Sequence, residues 1–415
     1  MTARIIGIVS LAAVALLLNL GCSEDVLVPS SEEEGTTSAA LMSAATPISF
    51  RQVSAGARHA CGVAMGGQAY CWGDSRFGQL GNGTVREGSE LCAPSSGGPE
   101  STCSTRPVAV TGGHRFLQVS AGLWHTCGIN TEHEIYCWGE NLLGQAGNGY
   151  AITTGTPARM NTDLRFRSVS AGDEHTCGIT MSDLAFCWGD DVEGQLGNGS
   201  VSAGSRAPSL VAGGHRWLEL NAGDVHTCGV TSTKRAYCWG SNRNGALGDG
   251  STISRNAPVR VASSMQFLRI SVGSNHTCAT NIGHRAFCWG TNDEGQLGDG
   301  TRIHRLIPTA VAGTRVFNRV SARLGFTCGV TRSGQGVCWG RGIEGQLGNG
   351  TTFRRALPTP VSGGLVFADV TGGFAYSCAV TTAARAHCWG DNSWGNLGNG
   401  TQERRLTPSA VVGPE

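Results

Sequence analysis

The chain has 415 residues, 31 Lys plus Arg against 30 Asp plus Glu, and a formal net charge of +1. That balance removes the electrostatic basis for a nucleic-acid partner, and none is expected. The 63 Gly and 13 Pro are spread along the chain rather than pooled in one tail, which suits many tight turns.

Arg4 and the almost unbroken apolar run Ile5 to Leu20 have the form of a secretory signal, slightly short for a membrane-spanning helix. Gly21-Cys22 follows directly and resembles a bacterial lipoprotein processing site, which would make Cys22 the lipidated residue and the membrane anchor. Asn19 departs from that motif, which usually has an aliphatic residue there. Residues 1–22 are therefore expected to direct export, to the cell envelope or surface if Cys22 is lipidated and otherwise to secretion. Residues 23–46, with Glu32-Glu33-Glu34 among Ser, Thr and Ala, hold too little apolar content to fold alone and read as a flexible acidic tether.

From residue 47 to 415 the chain repeats. A segment of the form HTCGVTSTKRAYCWG, here His226 to Gly240, occurs seven times, with Phe326 and Tyr376 in place of the histidine in the last two copies. The second cysteines fall at 71, 137, 187, 238, 288, 338 and 388, so the intervals are 66, 50, 51, 50, 50 and 50. A period near fifty overrides the two or three domains that length alone would suggest. The first unit is longer by an insertion at about 85–106.

Within residues 217–262, WLELNAG alternates as a strand and HTCGVT and AYCWG flank a hairpin turn. The Gly/Asn loop SNRNGALGDGSTISRN then leads to a short strand PVRVA. Four short antiparallel strands, repeated seven times, predict an all-β, seven-bladed β-propeller. The chain starts on the first strand of a unit and stops at LTPSAVVG, the last, so the ring is expected to close with one blade shared by both chain ends.

The recurring pattern V-S-A-G-x-x-H-T, A-Y-x-W-G-x-N-x-x-G-Q-L-G-N-G-T and P-x-x-V resembles the regulator of chromosome condensation repeat over about residues 48–413. That resemblance implies a seven-bladed propeller. It also implies the functions found in the family, which includes a nuclear nucleotide-exchange factor for a small GTPase and secreted bacterial members such as a β-lactamase inhibitor protein. The chain departs from the family in its cysteines, since members usually carry small or aliphatic residues at both positions.

The paired cysteines are expected to be disulfides. With the hairpin centred on Thr233, Cys228 and Cys238 stand opposite one another, where antiparallel partners lie about 4.5–5.5 Å apart at Cα. The same register applies to Cys61 and Cys71, Cys127 and Cys137, Cys177 and Cys187, Cys278 and Cys288, Cys328 and Cys338, and Cys378 and Cys388. Cys92 and Cys103, inside the insertion, form an eighth pair expected to staple a flap. A zinc reading of His-x-Cys…Cys fails because Phe326 and Tyr376 replace the histidine. The histidine is expected instead to bond backbone near the A-G turn. The seven Trp-Gly pairs read as packing between blades. The Gly-rich loops lack both a Walker lysine and EF-hand spacing. No catalytic arrangement, metal or cofactor is expected.

Recognition is therefore sought where the copies differ. With strands A to D antiparallel, the A–B turn and the C–D loop lie on the same face. Apolar residues there cluster on the last, first and second blades: Phe374 and Trp394, then Phe77, then Leu123, Trp124, Leu142 and Leu143. Acidic ones fall mainly on blades three to five. These seven apolar residues, beside the stapled insertion, are the candidate binding site of a monomeric, exported interaction module for a protein or envelope ligand. The rival readings are exchange-factor-like regulation and inhibition of a secreted enzyme.

Overall fold

The structure is a computed structural model and describes residues 47–84, 90–92 and 101–414. Cys22 and the tether lie outside the described residues, as do positions 85–89 and 93–100 of the insertion. The described chain forms seven antiparallel sheets, six of four strands and one of five. Blade 1 comprises strand A (Phe50–Ala55), B (His59–Ala64), C (Ala69–Asp74) and D (Ser101–Ala109), with Glu90–Cys92 added outside D. Blade 2 comprises Phe116–Ala121, His125–Asn130, Ile135–Gly139 and Thr154–Arg159. Blades 3 to 7 repeat the order A-B-C-D over residues 166–210, 217–260, 267–310, 317–360 and 367–410.

The shared blade is not found. Strand D of the last blade, Arg405–Ala410, pairs with strand C of its own blade, and blade 1 takes its fourth strand from Ser101–Ala109. Each of these two blades has its own strands A to D, so no strand is exchanged between them. The first and last blades instead pack side to side, with Phe50, Trp72, Tyr376, Val380 and Leu397 in one buried cluster. Strand D of blade 4 also begins earlier than the sequence suggests, at Arg255 rather than Pro258. Pro258 is accommodated because D is an outer edge strand of the blade.

Burial follows strand position. B and C are almost wholly buried, whereas D in blades 3 to 5 is mostly exposed or half-buried. In each repeat Cys pairs directly with Cys across B and C, at Cα separations of 4.0–4.1 Å in all seven disulfides. The Cys92–Cys103 pair is also bonded, with Cα atoms 5.8 Å apart.

Neighbouring blades are stitched by one recurring set of groups. Trp239 of blade 4 donates its indole N–H to the Gln195 carbonyl of blade 3 at 2.9 Å. Thr227 Oγ1, also of blade 4, donates to the same carbonyl at 2.9 Å and accepts from His175 Nε2 of blade 3 at 2.8 Å. Because the threonine proton is committed to the carbonyl, the imidazole must donate from Nε2. The histidine thus bonds the next blade's hydroxyl, not backbone at its own turn, and the same bond holds for His59, His125, His226 and His276. Burial lowers the pKa of all five from 6.5 to about 3. Tyr376 of blade 7 instead donates to the His59 carbonyl of blade 1 at 2.6 Å.

The Gly-rich loop serves the same seam. Gly197 has φ +67°, and a Cβ there would lie 2.4 Å from Trp239 Nε1. Both the left-handed backbone and the close indole demand glycine.

A second ring of bonds closes around the axis. The side chains of Ser54, Ser120, Ser170, Asn221, Ser271, Ser321 and Thr371 each accept the strand A N–H of the following blade, at 2.9–3.3 Å. The last of them runs from Ala55 to Thr371, joining blade 1 to blade 7. These side chains cap the inner edge strands, which would otherwise present unpaired N–H groups.

Candidate interaction face

The A–B turn and the start of the C–D loop are tied together in each blade. The N–H after strand C donates into the turn, as from Asp74 to Arg58 O at 3.0 Å and from Glu140 to Trp124 O at 2.9 Å. Both loops therefore lie on one face, and the candidate residues can be placed on it.

Phe77 of blade 1 and Trp124 of blade 2 meet, with ring centroids 5.5 Å apart. Between Trp124 and Trp394 of blade 7 lie two arginines of blade 1. The Arg58 guanidinium is 5.4 Å from the Trp124 ring and 5.0 Å from Trp394, and that of Arg76 is 5.1 and 4.5 Å away. The cluster therefore joins blades 7, 1 and 2 through cation–π contacts, each worth roughly 0.5–1 kcal/mol at an exposed site. Arg76 is also paired with the buried carboxylate of Asp74 at 2.5 Å. Burial, then the Arg76 charge, lower the pKa of Arg58.

The structure divides the seven residues. Trp394 is only 6 % exposed and packs against the Cys92–Cys103 disulfide, so it is a floor beneath the flap and not a contact surface. The flap is tied down further where Glu90 accepts from Thr105 N at 2.9 Å. Leu142 and Leu143 are exposed and line a cleft with Ala203, Gly204, Ser205 and Arg206 of blade 3. Leu123 is half-buried. Phe374 stands apart from these, 5.9 Å from the guanidinium of Arg323.

The arginines are what residue-by-residue reading of apolar positions missed. Arg58 occupies the turn position that holds Trp124 in blade 2, and Arg76 directly precedes Phe77. A count of cations at and directly beside the aromatic positions would have found both.

Blade 3 and the adjoining edge of blade 2 are acidic. Glu174 and Glu140 have raised pKa values, Glu174 through burial and then Asp190 and Asp224, Glu140 through burial and then Glu174. Near the axis Asp173 is buried, and burial together with Asp224 holds its carboxyl well above the usual range. Arg323 of blade 6 reaches to within 3.6 Å of it. No group of three or more His, Cys, Asp or Glu side chains among the described residues is arranged to hold a metal ion.

A disulfide-stapled propeller with a charge-divided loop face is the class of protein defined here. The chain belongs to the regulator of chromosome condensation (RCC1) repeat family, whose profile matches residues 66–129, 132–179, 235–280, 284–330 and 337–380. It is 28 % identical over 242 residues to "Ultraviolet-B receptor UVR8" of Arabidopsis thaliana, covering 58 % of this chain and 50 % of that protein. The chain thus spans about half the length of such curated relatives. Among solved structures, human WBSCR16 superposes with a TM-score of 0.73 at 19 % identity, over 84 % of this chain and 94 % of that one. Yeast RCC1 (Prp20), solved bound to Kap60, gives 0.71 at 18 % identity, over 82 % and 83 %. At these identities the structural likeness shows the fold.

Proposed function

We propose that this protein is an exported, non-enzymatic propeller that binds a protein partner or envelope ligand through the loop face of blades 7, 1 and 2. The observation that carries the reading is the cluster of Arg58 and Arg76 against Trp124 and Trp394, flanked by Phe77 and by the exposed Leu142 and Leu143. Trp and Arg are the residue types that dominate binding energy at protein interfaces, and charged groups stacked on indoles hold their geometry before a partner arrives. The yeast relative's structure with Kap60 supports a protein partner as the kind of ligand this fold takes. Export is supported by the N-terminal apolar run and by sixteen cysteines arranged in eight pairs. Lipidation of Cys22 would hold the monomeric propeller at the envelope.

Family membership also favours regulation of the exchange-factor kind, and inhibition of a secreted enzyme uses the same face. An exported chain does not meet a cytosolic GTPase, so the exchange reading is the weaker of the two. The test is cross-linked capture from envelope extracts with wild type and a Trp124→Ala/Leu142→Ser double variant. Trp394 is left intact because its loss would disturb the flap. A partner captured by wild type and lost in the variant is the expected result; equal capture by both overturns the proposed face.

A further inference from the structure

The inner edge strands enclose a cavity that the loop face does not use. Strand A of all seven blades lines it, and its volume is about 570 Å³. Access differs between its ends. Where the strands begin, Arg51, Leu117 and Leu218 are exposed; where they end, Ala55, Ala121, Ala171, Ala222, Val272 and Ala322 are buried. Beyond these alanines Arg323 of blade 6 and Asp173 of blade 3 approach each other across the ring, at 6 % and 8 % exposure. The cavity is therefore blind: it opens on the side where strand A begins and is closed at the loop face.

Its wall is rich in unused donors. Each of the six hydroxyls in the axial ring accepts an N–H and still carries its own proton. None donates to a protein acceptor among the described residues. The closed end adds a guanidinium. Arg323 Nε has no partner among the described residues, and its Nη1 lies 3.6 Å from Asp173, too long for a hydrogen bond. Burial and then Asp224 raise the pKa of Asp173 while Arg323 lowers it, so the charge of Asp224 competes with this pairing and leaves Arg323 incompletely matched. Charges nearer the mouth cancel in pairs, Arg319 with Asp369 at 3.0 Å and Arg269 with Glu219 at 3.6 Å. Buried donors without acceptors are costly, and a guanidinium with open N–H groups is best complemented by an oxyanion.

We propose that the blind end of this cavity binds a small oxyanion, with Arg323 as its charge partner and the hydroxyls of Ser271, Ser321 and Thr371 on the adjoining strands as neutral donors. The ligand is either a free ion or the phosphate of a small ester, for which the cavity has room. The site adjoins the proposed partner face through Phe374 but does not rest on that reading.

The test is titration calorimetry of the folded propeller with inorganic phosphate, sulfate and glycerol phosphate in separate arms. Binding in at least one arm is expected, and the tighter of phosphate and glycerol phosphate distinguishes free ion from ester. Arg323→Gln should abolish it. Because removing a buried charge can unfold the ring, Ser321→Ala/Thr371→Val, which keeps every charge, is the second variant and should weaken binding by about tenfold or more. Arg58→Gln, on the loop face, should bind as wild type. No binding in any arm up to about 10 mM, or undiminished binding by Ser321→Ala/Thr371→Val, overturns the proposal.

Discussion

The seams between blades and the loop face are built from similar residue types, yet they differ in what the residues are free to do. Trp239 in a seam is fully buried, with its N–H committed to Gln195 O, whereas Trp124 on the face is half-buried and stacked on two arginines. His226 in a seam is neutral and bonded to Thr277, while Arg58 on the face stacks on two indoles and feels the charges of Asp74 and Asp391 without closing an ion pair among the described residues. Seam groups recur because each must fit the same pocket seven times over. Face groups vary because nothing inside the ring constrains them. Repetition therefore marks stability here, and departure from it marks the surface where recognition is proposed.

The largest way to stress that contrast is acid. The five seam histidines have folded pKa values near 3 against 6.5, so between those values the unfolded chain binds more protons. Stability should be full above pH 6.5 and fall as pH drops toward 3, by up to about 1.4 kcal/mol per pH unit for each histidine. Asp173, whose carboxyl is raised by burial and then by Asp224, opposes this, because its protonation relieves a buried charge. Denaturant midpoints measured across that range check it, and His276→Phe, which copies blade 6, should reduce the slope.

Next in size is Trp239→Ala, expected to cost about 3–5 kcal/mol in equilibrium unfolding while leaving partner capture intact under native conditions. Thr277→Val removes the acceptor of His226 and a donor to Ala246 O, and should cost about 1–3 kcal/mol. Smallest in stability are the face variants. Leu142→Ser should change unfolding by less than about 0.5 kcal/mol, yet reduce partner capture. A face variant that destabilised the ring as much as a seam variant would erase the distinction.

Much of the seam was legible in the chain. The ten-residue Cys spacing around a hairpin dictates the register that pairs Cys228 with Cys238, because opposed residues of a two-stranded ladder follow from the turn. The family pattern located Trp, Gly and His, but not the bond from His175 to Thr227, which joins residues a full repeat apart. The candidate site was legible only as a list of variable positions. That Phe77 would touch Trp124 depends on how adjacent blades pack. That Trp394 would lie beneath the Cys92–Cys103 bond depends on the last blade meeting the first.

By itself the sequence determined the number of blades, the order of strands within each, the disulfide register and the face that carries the variable loops. These follow from local periodicity and turn geometry, which act within one repeat. The tertiary structure alone decided that the first and last blades meet without sharing a strand, that two arginines stand between two tryptophans of different blades, and that Arg323 reaches across the ring to Asp173. Those contacts join residues far apart in the chain, and only the packing of blade on blade brings them within reach.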